Sequence, residues 1–326
     1  MEAYCLQIFW AGLIAFALFM YVVLDGYDLG VGILFGMARD DHDRATMLKA
    51  IEPFWDGNEV WLILVGAGLF AAFPMVYAIF LPAFYLPVAL MLIGLIFRGV
   101  SIEFRYHSNQ MRWLWDWGFF VGSLIVSFVQ GTAIGRMVEG LPVADGQYAG
   151  GAFDWLTPFS LLCGLGLVLG YSLLGAAWLI LRTDGDIHDW LYCRIRWLLI
   201  SVLTILAGVS VLILLMNERV MARWFGHVYL FTFPVFTLLA SVGLWIGIPK
   251  KRDWFPYVMA VGVFIGAYLS LTASFWPYMI PYSVSIADAA APVQTLSFLF
   301  YGAGVVVFPI VLLYTAFIYW KLRGKV

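Results

Sequence analysis

Residues 24–32 read Leu24-Asp25-Gly26-Tyr27-Asp28-Leu29-Gly30-Val31-Gly32, inside an apolar segment that extends from about residue 6 to residue 37. A membrane-spanning helix needs about 20 mostly apolar residues, so this segment predicts a span with two carboxylates at membrane depth. Ionisable side chains are expensive there, and they usually handle ions or protons or form ion pairs. The stretch therefore predicts a helical membrane protein with a polar site in its first span.

The composition of the whole chain agrees with this prediction. Of the 326 residues, 63% are hydrophobic and 12% are charged, and the mean hydropathy is +0.93. A net charge of -2 gives no indication of a nucleic-acid partner. The N-terminal sequence lacks a basic region and the apolar segment is too long for a signal peptide, so we expect it to remain as a span.

Nine segments have the length and apolar character of spanning helices. The sequence therefore predicts an all-α polytopic membrane protein with about nine transmembrane helices, as a single integral membrane domain. The expected spans are 6–37, 55–73, 79–103, 115–137, 156–181, 197–216, 228–248, 255–275 and 293–320. The loops 138–155 and 276–292 are rich in Gly, Pro and small residues and predict turns.

The distribution of Lys and Arg predicts the orientation of the spans. With the C-terminal tail in the cytoplasm, the loops on that side hold 14 of the 18 basic residues, whereas the opposite loops hold only Arg219 and Arg223. Basic residues are enriched in cytoplasmic loops. We therefore expect the N-terminus outside and the C-terminus in the cytoplasm.

This orientation brings the acids of four consecutive spans to the cytoplasmic half. The second span begins with Trp55-Asp56-Gly57-Asn58-Glu59-Val60-Trp61, where Asp56 and Glu59 share a helix face, as Asp25 and Asp28 do. The pattern predicts either a proton entry site or an ion-paired clamp between helices. In the first interpretation Asp56, Glu59, Asp25 and Asp28 form the proton pathway, and Arg98, Glu103, Asn58 and Trp55 support it.

Simpler interpretations apply to the same residues. Asp56 is suited to cap the N-terminus of the second span, and Glu103 and Asp116 suit a solvated interface. Arg98 would form a structural ion pair with Asp25 or Asp28. The small-residue spacing of the glycines predicts close helix packing rather than function, at Gly26, Gly30, Gly32, Gly36, Gly66 and Gly68.

Metal and haem ligands are not arranged in any recognisable pattern in the sequence. The four histidines fall in loops or at the ends of spans, whereas a haem held between helices usually needs a His inside the bundle. The three cysteines have no disulfide or metal-binding spacing. We therefore expect no redox centre and no metal on this chain.

Several of these segments resemble subunit II of cytochrome bd-type quinol oxidases. The similarity covers the chain from the first span to the last, and the form of residues 98–105 is more similar to the cyanide-insensitive branch. The matching segments are Leu24–Gly32, Trp55–Trp61 with Phe70–Pro74, Phe97–Arg105, and Pro309–Ala316 with Tyr319-Trp320.

The resemblance implies a heterodimer in the bacterial cytoplasmic (inner) membrane. Subunit I would carry haem b, haem d and the quinol site, with an electrogenic oxidase reaction that reduces O2 to water. Subunit II would be haem-free, with two four-helix bundles, 1–137 and 156–275, and a peripheral helix, 293–320. Some members hold a structural quinone in subunit II, and a small single-span accessory subunit and membrane lipid are further expected partners.

The resemblance also implies roles for the acids. In the family, the Asp of the motif that holds Asp56 is associated with a proton route at the subunit interface, whereas some members have Gln at the position of Glu59. Two other functions use the same residues. One is a proton- or cation-coupled transporter, and the other is a purely structural subunit without a proton path.

Overall fold

The structure is a computed structural model that describes residues 3–108 and 110–326. It is almost entirely helical, with two short hairpins in loops. The helices are α1 (Ala3–Phe35), α2 (Asp41–Ile51), α3 (Trp55–Ala72), α4 (Pro74–Ala83), α5 (Tyr85–His107), α6 (Arg112–Glu139), α7 (Pro158–Arg182), α8 (Asp186–Met216), α9 (Glu218–Gly226), α10 (Thr232–Gly247), α11 (Trp254–Phe275), α12 (Ile286–Ala289), α13 (Val293–Leu299) and α14 (Phe308–Lys321).

The all-α membrane fold predicted from the sequence is confirmed. In the part of the chain that the structure describes, eight helical segments are long and apolar enough to cross a membrane. The expected span outside these eight is the second, 55–73, which corresponds to α3, a helix of 18 residues with a polar first turn. The polar residues near the start of α3, which include Asp56, Asn58 and Glu59, lower the mean hydropathy of the helix.

The third expected span, 79–103, is wrong at its N-terminal end. The structure has a separate short helix, α4, and a new helix that begins at Tyr85 after a break at Phe84. Pro87 explains the break, because a proline has no N–H for the carbonyl four residues earlier and its ring clashes with that carbonyl. Pro74 at the start of α4 ends α3 in the same way.

The sixth expected span, 197–216, begins eleven residues too late. Helix α8 already starts at Asp186, so Cys193, Arg194 and Arg196 lie on the helix rather than in a loop. Hydropathy marks only the part of a helix that contacts lipid, whereas the helix itself continues into the polar interface. Arg194 and Arg196 pack over the rings of Trp190 and Trp245, which is typical of such an interface.

Helices α1 and α7 lie side by side at the centre of the molecule. A Cβ atom on Gly30 would be 1.8 Å from the carbonyl oxygen of Tyr171, and one on Gly175 would be 2.5 Å from the carbonyl carbon of Gly30. Gly26, Gly32 and Gly36 also have neighbours within 2.7 Å of such an atom. The packing interpretation of these glycines is confirmed, but Gly66 has nothing within 4 Å and does not pack in this chain.

The remaining spans surround this central pair. Helix α1 also packs on α3 and α6, α5 packs on α6, and α7 contacts α8 and α11, which pairs with α10. The two turn-rich loops contain hairpins, Val143–Ala144 with Gln147–Tyr148 and Tyr278–Ile280 with Val284–Ser285. The last span consists of α13, a π-helical segment Phe300–Val307, and α14.

Candidate functional site

The centre of the candidate site is the fully buried side chain of Arg98 on α5. Its Nη2 atom lies 2.7 Å from Oδ1 of Asp25 on α1 and 3.0 Å from Oε1 of Glu59 on α3. Asp25 is fully buried, whereas the side chain of Glu59 is 25% exposed. Three helices are therefore joined by one cation and two acids, and Glu59 is the member of this group that reaches the surface of the chain.

Asp28 belongs to a different hydrogen-bond network, on the side of α1 that faces α3. Its Oδ2 atom accepts a hydrogen bond of 2.7 Å from Nδ2 of Asn58. The same nitrogen donates to the hydroxyl of Tyr27 at 3.0 Å and approaches the carbonyl oxygen of Leu24 at 3.4 Å. The expectation of a direct ion pair with Arg98 thus holds for Asp25 but not for Asp28.

The last helix completes this second network. The hydroxyl of Tyr319 on α14 donates to Oδ1 of Asn58 at 3.0 Å and lies 2.5 Å from the hydroxyl of Tyr27. Phe54 and Trp178 pack around the Tyr319 ring at centroid distances of 4.8 and 5.9 Å. A residue near the C-terminal end of the chain is therefore part of the site formed by the first two spans.

A third polar group lies one helical turn before Asp25. The hydroxyl of Tyr21 accepts a hydrogen bond of 2.6 Å from Nε2 of Gln130 on α6, and the hydroxyl of Tyr171 donates to Oε1 of Gln130 at 3.1 Å. These residues extend the polar interior of α1 away from Arg98. The sequence analysis did not identify Gln130, although a carboxamide within an apolar span is a signal that could have found it.

Asp56 lies apart from the buried acids. It is an exposed residue in the first turn of α3, one turn before Glu59. The capping interpretation of Asp56 is wrong, because Phe54 occupies the N-cap position and the cap has no side-chain hydrogen bond. The position still suits an acid, since a carboxylate in the first turn interacts favourably with the helix dipole.

The other predicted supporting residues lie close to this region but differ in their contacts. Trp55 is half-buried, with its ring 3.3 Å from where a Cβ of Gly99 on α5 would be. Glu103 is exposed and has no ion pair among the described residues, so its supporting role is not visible in the structure. Asp116 is not simply solvated, because it pairs with Arg44 at 3.3 Å and with Arg105 at 2.6 Å.

The C-terminal segment is held on the same side of the molecule as these ion pairs. Nζ of Lys325 lies 2.6 Å from Asp253 and 2.5 Å from Asp184, and Nη1 of Arg182 donates to the carbonyl of Leu322 at 2.7 Å. Partial burial alone would raise the pKa of Asp253, but hydrogen bonds from Lys325 and His188 outweigh it and lower that pKa. The two carboxylates conversely raise the pKa of Lys325, against the opposite effect of burial.

No group of three or more metal-ligating side chains occurs in residues 3–108 and 110–326. The polar groups that the fold brings together are carboxylates, one guanidinium, carboxamides and phenols. These groups bind and transfer protons or form ion pairs. The site therefore defines the chain as a polytopic membrane protein with a buried cluster of acids, one arginine, carboxamides and phenols inside its helical bundle.

Comparison with known proteins identifies the family. The chain belongs to the family of cytochrome bd terminal oxidase subunit II, whose sequence profile matches residues 6–322. It is 32% identical to cytochrome bd-I ubiquinol oxidase subunit 2 of Escherichia coli K12, over 98% of this chain and 95% of that protein. A probable cytochrome oxidase subunit 2 of Haemophilus influenzae is 29% identical over the same shares.

A solved structure has the same fold. A chain in the bd oxidase of Geobacillus thermodenitrificans superposes with a TM-score of 0.72 and 15% identity, over 96% of this chain and 98% of that chain. The protein is thus a subunit of a quinol oxidase and a multi-pass protein of the inner membrane. Its family implies a subunit I partner and fits haem groups on that partner.

Proposed function

We propose that this chain is the haem-free subunit that stabilises the haem-bearing subunit I and takes up cytoplasmic protons for the reduction of O2 to water. The proposal includes the orientation expected from the basic residues, with the N-terminus outside and the C-terminus in the cytoplasm. It also includes the division into two four-helix bundles, 1–137 and 156–275, with 293–320 as the peripheral helix.

The charge balance around Arg98 carries the proposal. Asp25 and Glu59 contact Arg98, and Asp28 lies one helical turn after Asp25 on α1. Asp25 and Arg98 are fully buried. If all three acids were ionised, the cluster would have a net charge of -2 inside the membrane. Such a charge is costly in a low-dielectric interior, so proton uptake by the carboxyl groups is favourable there.

Asp56 and Glu59 are the first acids on the route from the surface. Asp56 is exposed in the first turn of α3, and Glu59 lies one turn further along the same face, in contact with Arg98. A proton would pass from Asp56 to Glu59 and then to Asp25. Because the resemblance gives Gln in place of Glu59 in some family members, we expect the route to depend more on the carboxyl groups of Asp56 and Asp25 than on that of Glu59.

Replacing Asp56 by Asn tests the route, because the change keeps the shape of the side chain and removes the titrating proton. We expect at least a tenfold lower rate of quinol oxidation in the purified complex, with the haem content unchanged. Asp186→Asn is a matched control, since Asp186 is also an exposed acid in the first turn of a spanning helix. Normal turnover and assembly in Asp56→Asn would contradict the proton route, and the structural role would then be the only one left to this chain.

The absorbance spectrum of the dithionite-reduced complex, purified through a tag on this chain, tests the assignment of the haems. We expect bands of b-type and d-type haem, with the haem retained on a second subunit after the two are separated. Haem that stays with this chain would contradict the haem-free assignment. A colourless protein without a partner would instead favour the ion-coupled transporter.

A further inference from the structure

The hydrogen bonds between Asn58, Tyr27 and Tyr319 form a closed ring with one direction. The carboxamide oxygen of Asn58 can only accept, so Tyr319 must donate to it, and the carboxamide nitrogen can only donate, so Tyr27 must accept from it. The remaining hydroxyl proton, on Tyr27, then points to Tyr319 at 2.5 Å. The carbonyl oxygen of Leu24, which can only accept, lies 3.4 Å from the same nitrogen and favours this direction of the ring, in which the amino group of Asn58 faces Asp28.

This orientation determines the surroundings of Asp28. Because Tyr319 occupies the carboxamide oxygen, the amino group of Asn58 faces Oδ2 of Asp28 at 2.7 Å. If Tyr319 lost its hydroxyl, the carboxamide could rotate and present its oxygen to the carboxyl group of Asp28. Arg98 pairs with Asp25 and Glu59 in this structure. Among the described residues, the side chain that forms a hydrogen bond with Asp28 is therefore that of Asn58.

The three residues of the ring come from three helices that are far apart in sequence. Tyr27 and Asp28 lie on α1, Asn58 on α3 and Tyr319 on α14, 261 residues from Asn58. Packing by Phe54 and Trp178 holds the Tyr319 ring, and Arg182 holds the end of α14 through the carbonyl of Leu322. The last helix therefore presents a hydroxyl group to the acid site from a fixed position.

We propose that Tyr319 and Asn58 are positioning residues for Asp28, so that the last helix completes the proton-binding site of the first two spans. The inference rests on the proposed function, in which the acid cluster takes up protons. It goes further by assigning a role to α14, which carries no acid. Tyr319 acts through Asn58, because its hydroxyl contacts the carboxamide and Tyr27 rather than the carboxyl group.

Tyr319→Phe in the intact complex tests the inference, since it removes the hydroxyl and keeps the ring between Phe54 and Trp178. The readout is the infrared spectrum, in which the vibrations of Asp28 are identified by their loss in Asp28→Asn. We expect those vibrations to shift in Tyr319→Phe and turnover to fall at least threefold. Tyr314→Phe is the control, because Tyr314 is an exposed tyrosine on the same helix with no described hydrogen bond.

Unchanged Asp28 vibrations in Tyr319→Phe would overturn the inference, whatever the turnover. If Tyr319→Phe does not accumulate, Tyr27→Phe opens the same ring from the other side and carries the same expectation. The proposed function fails separately, through normal turnover in Asp56→Asn, a result that does not depend on the vibrations of Asp28. A shift of the Asp28 vibrations with normal turnover in Asp28→Asn would show that Asn58 and Tyr319 position a group that the reaction does not use, which also contradicts the inference.

Discussion

Removing the charge of Arg98 should destabilise the complex more than removing the charge of either acid that it contacts. Arg98→Gln leaves Asp25 and Glu59 facing each other without the cation that lies 2.7 and 3.0 Å from them. Breaking a buried ion pair by removing one partner costs about 3–5 kcal/mol. Asp25→Asn should cost less, about 1.5–3 kcal/mol, because Arg98 keeps its contact with Glu59.

The double variant Arg98→Gln with Asp25→Asn separates pairing from other effects. Of the two acids that contact Arg98, it leaves only Glu59, which is 25% exposed and can be solvated or protonated, so the cost of the double variant should be smaller than the sum of the two single costs by about 1–3 kcal/mol. The assay is the temperature at which half of the purified complex loses its haem spectrum after a fixed incubation. Arg98→Lys, which keeps the charge, is the control, and additive effects of the two single changes would refute the reasoning.

Two further predictions concern packing and the C-terminal segment. Gly30→Ala should reduce the amount of assembled complex, because the new Cβ would lie 1.8 Å from the carbonyl oxygen of Tyr171. Gly12→Ala on the same helix is the control, because a Cβ there has nothing within 4 Å. This control should behave as the unchanged protein in the same heating assay. The contact between Lys325 and Asp253 should protect the amides of residues 322–326 from hydrogen exchange between about pH 4 and about pH 10. The lowered pKa of Asp253 means that this protection is lost as the pH falls through that value, and the raised pKa of Lys325 means that it is lost again at high pH, whereas Lys325→Ala should lack it throughout.

The sequence was sufficient to predict the spans because the membrane imposes a length and a composition on each one. It was not sufficient at Pro87, where the apolar run continues but the helix is interrupted. It was also not sufficient at Asp186, where the helix extends beyond the apolar run. Hydropathy reports contact with lipid, whereas helix ends depend on backbone hydrogen bonds, and the two coincide only where a helix stops at the bilayer surface.

The acids of the site, Arg98 and Asn58 could also be predicted from the sequence, but which acid pairs with which partner could not. Spacing on a helix indicates that Asp25 and Asp28 share a face, yet the structure pairs Asp25 with Arg98 and Asp28 with Asn58. The sequence analysis placed most weight on Asp56, whereas Glu59 is the acid of that motif that contacts Arg98. Such differences depend on which neighbouring helix lies against each side of α1, and this information is tertiary.

The glycines and the acids of α1 together explain why Asp25 and Asp28 keep separate partners. Gly26 and Gly30 face α7, where a Cβ on Gly30 would meet the backbone of Tyr171 and one on Gly26 would meet its ring, and this close contact fixes the rotation of α1. With the rotation fixed, residues 25 and 28 differ by three steps of about 100° each, so their side chains diverge by about 60° and reach different helices. A shift of α1 away from α7 would therefore move both acids relative to Arg98 and Asn58 together. The glycines thus contribute to the acid site through packing, although none of them has a polar side chain.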